Sequence, residues 1–427
     1  MNMRNRFARM AAVVWLIVFC GAFFEQLLFG STVGHSGVSS ASKALNSLAY
    51  IPVYLCTIIL FIQSLTDKRN RVVYRDYLPF LFFAGYSIIS SMWALDGQGS
   101  IVDSTQLLIT TIGCLGLGCM LSAEVLGRTF VRVLIFLMIV SIFYVYAIPS
   151  IGRMHGVSFS GLTGMAQGVF SHKNRYAEVA SFGIIFAIGV ETTVRRFERV
   201  LLILLAGFSM VISGSAAKGS SLFFTLALFV VWRLFRSSAA GRVGWFLLLI
   251  YVLIFAGVLS QIALPVVTDF LGKDDTLSGR TEIWSHARSL IQLRPFFGYG
   301  AASVWGSAIG QIPGVAEYRP PHSHNLYLEM MLRYGGVGMA LIIWCIFSII
   351  RQLVQSKGRS IAHDLLFLTF IVTIIRSPFD VTLFRDNQIS YGLLILLFVS
   401  SSKASMLWRL NERENALIAR HPIKEGI

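Results

Sequence analysis

Residues able to move protons or grip anions gather between Val266 and Tyr334, the one long polar stretch of the chain. In RPPHSHNLYLEMMLRYGG (Arg319–Gly336), Pro320 and Pro321 force an extended approach, and a helix is predicted to begin near His324 or Asn325. Asn325, Glu329 and Arg333 then recur every four residues and share one helix face. His324 at the helix mouth, two residues after His322, could as neutral imidazole accept a proton or donate a hydrogen bond. Glu329 is a second candidate base. The structural alternative is that Glu329 and Arg333 neutralise each other and His324 caps the helix.

Three further segments offer cations. Arg280, in LSGRTEIWSHARSL, opens a predicted amphipathic helix bearing Trp284, Ala287, Leu290 and Ile291, of the kind that lies on a bilayer surface. Its guanidinium can hold a phosphate with two parallel hydrogen bonds, or it is a solvated loop arginine. The RPFFGYG run that follows reads as a turn that returns the chain, with glycines for geometry; it lacks the full phosphate-loop pattern. ISGSAAKGSS (Ile212–Ser221) places Lys218 in a hairpin of small residues with no acidic partner in the adjoining sequence, so it grips an anion or snorkels to the interface. GVFSHKNRYAE (Gly168–Glu178) offers His172, Lys173, Asn174 and Arg175 at a predicted helix start, where the helix dipole also favours an anion; the bland reading is an interfacial loop.

The elements that position these residues follow from composition. The 427 residues are 55% hydrophobic and 13% charged, where an ordinary soluble domain has roughly 25% charged residues. Repeated apolar runs of about twenty residues define an all-α polytopic membrane protein, because a helix satisfies its own backbone in lipid. About twelve transmembrane helices are expected, centred on residues 11–30, 45–65, 77–95, 101–122, 130–149, 177–193, 200–214, 220–236, 243–265, 325–350, 362–379 and 389–405. The chain divides into about nine N-terminal helices (1–265), one long outer loop with an amphipathic helix (266–324), and about three helices plus a tail (325–427). The first ten residues and the apolar run after them resemble a signal peptide without a small-x-small cleavage site, so a retained first helix is expected.

The net charge of +15 would suggest nucleic acid in a soluble protein. Here most Lys and Arg fall in alternate breaks between spans, which places both termini in the cytoplasm and the 266–324 loop outside. Arg153, Lys173, Arg175, Lys218, Arg376 and Arg385 break that sorting, and cations kept on the outer face suggest an anionic ligand there. The five cysteines lie in apolar runs and read as small core residues. No spacing of His, Cys, Asp or Glu suggests a metal site, and no cofactor is expected. His35, His155, His286, His363 and His421 read as surface histidines.

In order along the chain stand a small-residue turn with a cation, S-G-R-x-x-x-W (Ser278–Trp284), R-P-x-x-G-x-G (Arg294–Gly300) and H-x-H-N-x-x-L (His322–Leu328). This ordered set, over roughly residues 160–400, resembles the O-antigen ligase and O-antigen polymerase superfamily. The F-x-H-K-N segment at Phe170–Asn174 looks closest to its exopolysaccharide polymerases. The resemblance implies a glycosyltransferase of the bacterial inner membrane, with its active site on the periplasmic face. It would take glycan from undecaprenyl diphosphate without a metal and invert the anomeric centre. By the same resemblance Arg280 matches the loop arginine and His324 the helix-start histidine, while Lys218 stands where many members carry arginine and loses the bidentate geometry. Arg280 and Lys218 would bind diphosphate, with Arg319, Lys173, His172, His322 and Asn325 as further substrate contacts, and His324 or Glu329 would serve the acceptor hydroxyl. Implied partners are the lipid-linked glycan, membrane lipid, and a chain-length regulator or other polysaccharide-assembly proteins. A ligase acting on lipid A core shares this chemistry. A flippase is the different class, expected to show internal repeats and mid-bilayer charges; neither is evident here.

Overall fold

The computed structural model describes residues 3–21, 40–154, 164–236, 238, 240–241, 243–247, 280–313, 319–355, 360–385 and 388–420. The helices are α1 (Met3–Phe19), α2 (Ser40–Leu65), α3 (Arg71–Ile89), α4 (Gly97–Met120), α5 (Ala123–Ala147), α6 (Lys173–Gly189), α7 (Arg196–Ser213), α8 (Ala216–Phe235), α9 (Arg280–Leu293), α10 (Leu326–Gln355), α11 (Ile361–Arg376) and α12 (Ile389–Arg420). Among the described residues there is no strand, only an isolated bridge between Arg153 and Ala166. The described parts of the expected spans overlap helices; of 11–30 only 11–21 and of 243–265 only 243–247 are described. Among the described residues α4, α5, α8, α10 and the Ile389–Glu412 part of α12 are long and apolar enough to cross a membrane. This is an all-α polytopic membrane protein.

Residues 362–373 of α11 and 389–402 of α12 are buried on every side, so these two helices form the centre of the bundle. Trp15, Phe19, Phe130 and Phe186 share one core with them. The outer helices turn Phe136, Phe143, Phe223 and Phe224 outward, as suits a lipid solvent. Four of the five cysteines are buried and all are free. His363, expected at the surface, is instead buried with Nε2 3.0 Å from the Ser405 hydroxyl, because α11 has no outward face there. His286 is half-buried on α9, its Nε2 2.8 Å from the Ile309 carbonyl. His35, His155 and His421 lie outside the described residues.

Contacts between helix ends sort the bundle into two poles. At one, Arg4 donates to the Gln63 carbonyl (2.9 Å), Lys403 donates to the Cys119 carbonyl (2.5 Å), and the ion pairs Arg132–Glu198, Arg236–Asp364 and Arg351–Asp76 close the surface. At the other stand the starts of α6, α8, α10 and α12, the end of α11, and the polar segment 280–325.

That segment is locked to α10 by a break in the helix. At Gly335 the backbone leaves helical geometry (φ 61°, ψ −164°), and the RPFFGYG turn occupies the gap. Tyr299 N–H donates to the Leu332 carbonyl (2.8 Å) and Gly300 N–H to that of Arg333 (2.9 Å), while Gly336 N–H reaches the Pro295 carbonyl (2.8 Å). Non-helical backbone at a membrane edge survives only when its polar groups find such partners. A β-carbon added at Gly335 would sit 2.3 Å from the Phe296 oxygen. Around this joint Ile283, Ala287 and Leu290 of α9 form a second small core with Tyr299, Trp305 and Leu332. Gly335→Ala is expected to destabilise the protein by about 1–3 kcal/mol or more, since strain and overlap add. Thermal unfolding in detergent measures it, and an unchanged midpoint would contradict the joint described.

Candidate active site

The polar pole is assembled from short-range caps. His172 caps α6, its Nδ1 accepting from Asn174 N–H at 3.0 Å, which sets Lys173 as the first helical residue. Gly214, left-handed at φ 60°, ends α7 and starts the turn into α8, and Ser215 donates to the Asn174 side chain (3.0 Å) to tie both turns together. Asn325 is not on the helical face expected for it. It stands just before α10 as the cap, its side-chain oxygen accepting from Tyr327 N–H (3.0 Å) and Leu328 N–H (3.2 Å).

Between the caps lies a buried charge network. Lys218, expected without an acidic neighbour, pairs with Asp380, 162 residues further on in the segment between α11 and α12. Arg175 pairs with Glu178 at 3.0 Å, and Glu178 also accepts from Ser390. Arg376 donates to Ser221 (2.8 Å) and Ser181 (2.8 Å), yet its buried Nη1 finds no partner among the described residues. Burial alone would raise the Asp380 carboxyl; the adjacent Lys218 ammonium, with His322 and Arg376 behind it, holds it down to about 2.

The histidine turn meets this network. The rings of His322 and His324 are 4.1 Å apart, and His322 Nδ1 accepts from His324 N–H (3.1 Å). His324 adopts a left-handed backbone (φ 54°), uncommon for a side chain of its size and a form of strain that clusters at functional sites. Burial, then His324 and Arg385, push the His322 imidazole down to about 3 against the opposing pull of Glu329 and Asp380. Thus Lys218, Asp380, His322 and His324 belong to one electrostatic neighbourhood.

Glu329 is engaged structurally. It accepts from Trp305 Nε1 (3.0 Å), Ser323 N–H (2.9 Å) and Arg333 Nε (2.9 Å), and it is 1% exposed. Arg333 in turn donates to the Ala301 carbonyl and lies 3.8 Å from Asp103. Such a carboxylate holds the histidine turn, the segment after α9 and α10 together. Arg280 opens α9 one turn before Trp284, whose indole donates to the Ser323 carbonyl (2.9 Å), so α9 seats directly on the histidine turn. Arg319 is exposed and braces the Gly306 carbonyl (3.3 Å), away from the ion pairs.

Glu178, Arg376 and Asp380 are the members of the network that motif spacing did not single out as a site. The available signal was their placement: a carboxylate and an arginine inside or at the ends of apolar runs are costly unless they serve something. Among the described residues no cluster of His, Cys, Asp and Glu could hold a metal ion.

Residues 201–343 match the O-antigen ligase family. The chain is also 21% identical over 392 residues to the exopolysaccharide production protein ExoQ of Rhizobium meliloti (strain 1021), covering 84% of this chain and 85% of that one. Both matches support the O-antigen ligase/polymerase superfamily. The family match takes in Lys218, Arg280, His322, His324 and Glu329, whereas His172, Arg376 and Asp380 fall outside it.

Two measurements test this geometry. Glu329→Ala strands the buried Arg333 charge and should cost about 3–5 kcal/mol; loss of folded protein is expected, and a stable, inactive variant would make Glu329 a base instead. His322 stays neutral in the fold while an unfolded histidine protonates near 6.5, so its burial weakens the fold as pH falls from 6.5 toward 3. The melting midpoint should therefore fall less across that window in His322→Gln than in the wild type; identical curves would contradict the burial.

Proposed function

We propose that the protein is a glycosyltransferase of the bacterial inner membrane that polymerises undecaprenyl-diphosphate-linked repeat units at the periplasmic face. The observation that carries this reading is Arg376: a buried guanidinium that reaches two serine hydroxyls and the Lys218 carbonyl, with an Nη1 that has no partner among the described residues. An unsatisfied buried donor costs about 1–3 kcal/mol, and a phosphate oxygen is the acceptor that best suits a paired lysine and arginine. Arg280, at the start of α9, would add a second guanidinium to the same diphosphate in this reading.

In the proposed reaction an acceptor hydroxyl oxygen forms a bond to the anomeric carbon of the donor from the side opposite the diphosphate. The carbon–oxygen bond to diphosphate breaks, and its electron pair leaves with undecaprenyl diphosphate. Lys218, Arg280 and Arg376 stabilise the charge that develops on that leaving group. His324 orients the hydroxyl and takes its proton; His322, with its low proton affinity, fixes the turn. Asp380 holds Lys218 in place and sets the field at the histidines. No metal is required by this scheme.

Similarity to an exopolysaccharide production protein and the F-x-H-K-N segment favour polymerase. The second reading, transfer of the glycan to lipid A core, is favoured by the O-antigen ligase family match. Arg280→Ala and His324→Ala should express normally and reduce product polymer by about 10²-fold or more; wild-type chain lengths from either would remove that residue from the site. Deletion that leaves single lipid-linked repeat units supports the polymerase, and loss of glycan from lipid A core alone would replace it with the ligase.

A further inference from the structure

The basic pole of the bundle, opposite the histidine turn, contains a recess of about 360 Å³ between α3, α10 and α12 that glycan transfer does not use. Arg75, Asp76 and Arg351 line its end at the pole, Leu78 and Trp344 the end toward the middle of the bundle, and the buried Pro79, Gln352 and Phe398 its floor. Arg351 lies 3.5 Å from Asp76, but half of its side chain (51%) remains accessible, and Arg75 is exposed. Pro79, also in the wall, supplies no N–H, so the Arg75 carbonyl lacks its usual helical donor and can accept a hydrogen bond from a ligand hydroxyl.

The order of these residues along the helices is informative. On α3 the series Arg75, Leu78, Phe82 runs from the pole toward the middle of the bundle, and on α10 so does Arg351 to Trp344. Phe82 (55% exposed) and Trp344 (41% exposed) stack at 5.7 Å and continue the recess as an apolar strip on the outer surface. A soluble phosphate would use the arginines and leave the strip idle. A lipid uses both: phosphate at the rim, acyl chain along the rings.

We propose that this recess binds an anionic glycerophospholipid in the leaflet at the basic pole. Its phosphate rests on Arg75 and Arg351, and one acyl chain lies along Leu78, Phe82 and Trp344. The site is separate from the glycan-transfer pole and stands or falls independently of it.

Native mass spectrometry of the delipidated full chain tests this with dioleoyl phosphatidylglycerol, dioleoyl phosphatidylcholine and glycerol 3-phosphate as probes. Wild-type protein should retain one phosphatidylglycerol in preference to phosphatidylcholine and should not retain glycerol 3-phosphate. Arg75→Gln and Arg351→Gln, both at exposed positions, should each weaken that binding by about fivefold. Asp76→Asn, which frees Arg351, should tighten it. Equal retention of the two lipids, or no response to either arginine change, would overturn the proposal. Retention of glycerol 3-phosphate as strongly as the lipid would also overturn it, since the acyl strip would then contribute nothing.

Discussion

The Glu329 carboxylate is the point on which the polar pole depends. It lies inside the structure, at the start of a membrane helix, and three donors from three parts of the chain converge on it: an indole from the segment after α9, a backbone amide of the histidine turn, and a guanidinium one helical turn along. A buried carboxylate is tolerable only when its partners are all in place, because an unpaired charge there costs several kcal/mol. The loop, the turn and the helix are thus obliged to meet in one arrangement. The break at Gly335 adds the second constraint, opening α10 just where RPFFGYG can supply the missing backbone partners.

With that joint closed, the histidine turn joins a network of charges at the ends of α6, α8 and α11 and in the segment between α11 and α12. The pairs form between elements far apart in sequence: Lys218 with Asp380, and Glu178 with Ser390 besides its own neighbour Arg175. In a medium of low dielectric these fixed charges act strongly on one another. The same network that holds the helices together therefore prepares a cationic surface, and only part of its hydrogen-bonding capacity is taken up internally. Arg376 shows this most directly, with two hydroxyls and the Lys218 carbonyl as acceptors and an Nη1 that has no partner among the described residues.

The helices were legible because apolar runs interrupted by arginines leave few alternatives, and α9 because its apolar residues recur at helical spacing. The RPFFGYG turn was legible in its glycines, although nothing in the sequence tells that Gly298 and Gly335 face each other across the joint. Pairing was not legible. Lys218 read as a cation without a counter-charge because its partner lies 162 residues away, and spacing arguments reach only neighbours on one element. Asn325 leaves the helix face because α10 starts only at Leu326, and a cap residue does not continue the helical register. His363 is buried for a different reason: the apolar run around it outweighs its polarity, and the Ser405 hydroxyl makes that position habitable.

Lys218 and Arg280 are proposed to serve one phosphate ligand although they come from helices far apart in sequence. Calorimetric titration of undecaprenyl diphosphate into the purified chain, with EDTA present, measures this directly. Lys218→Ala and Arg280→Ala should each weaken binding by about tenfold or more, and the double variant should lose less than the two effects summed, as groups sharing one ligand do. Wild-type affinity in either single variant, or binding abolished by EDTA alone, would contradict it.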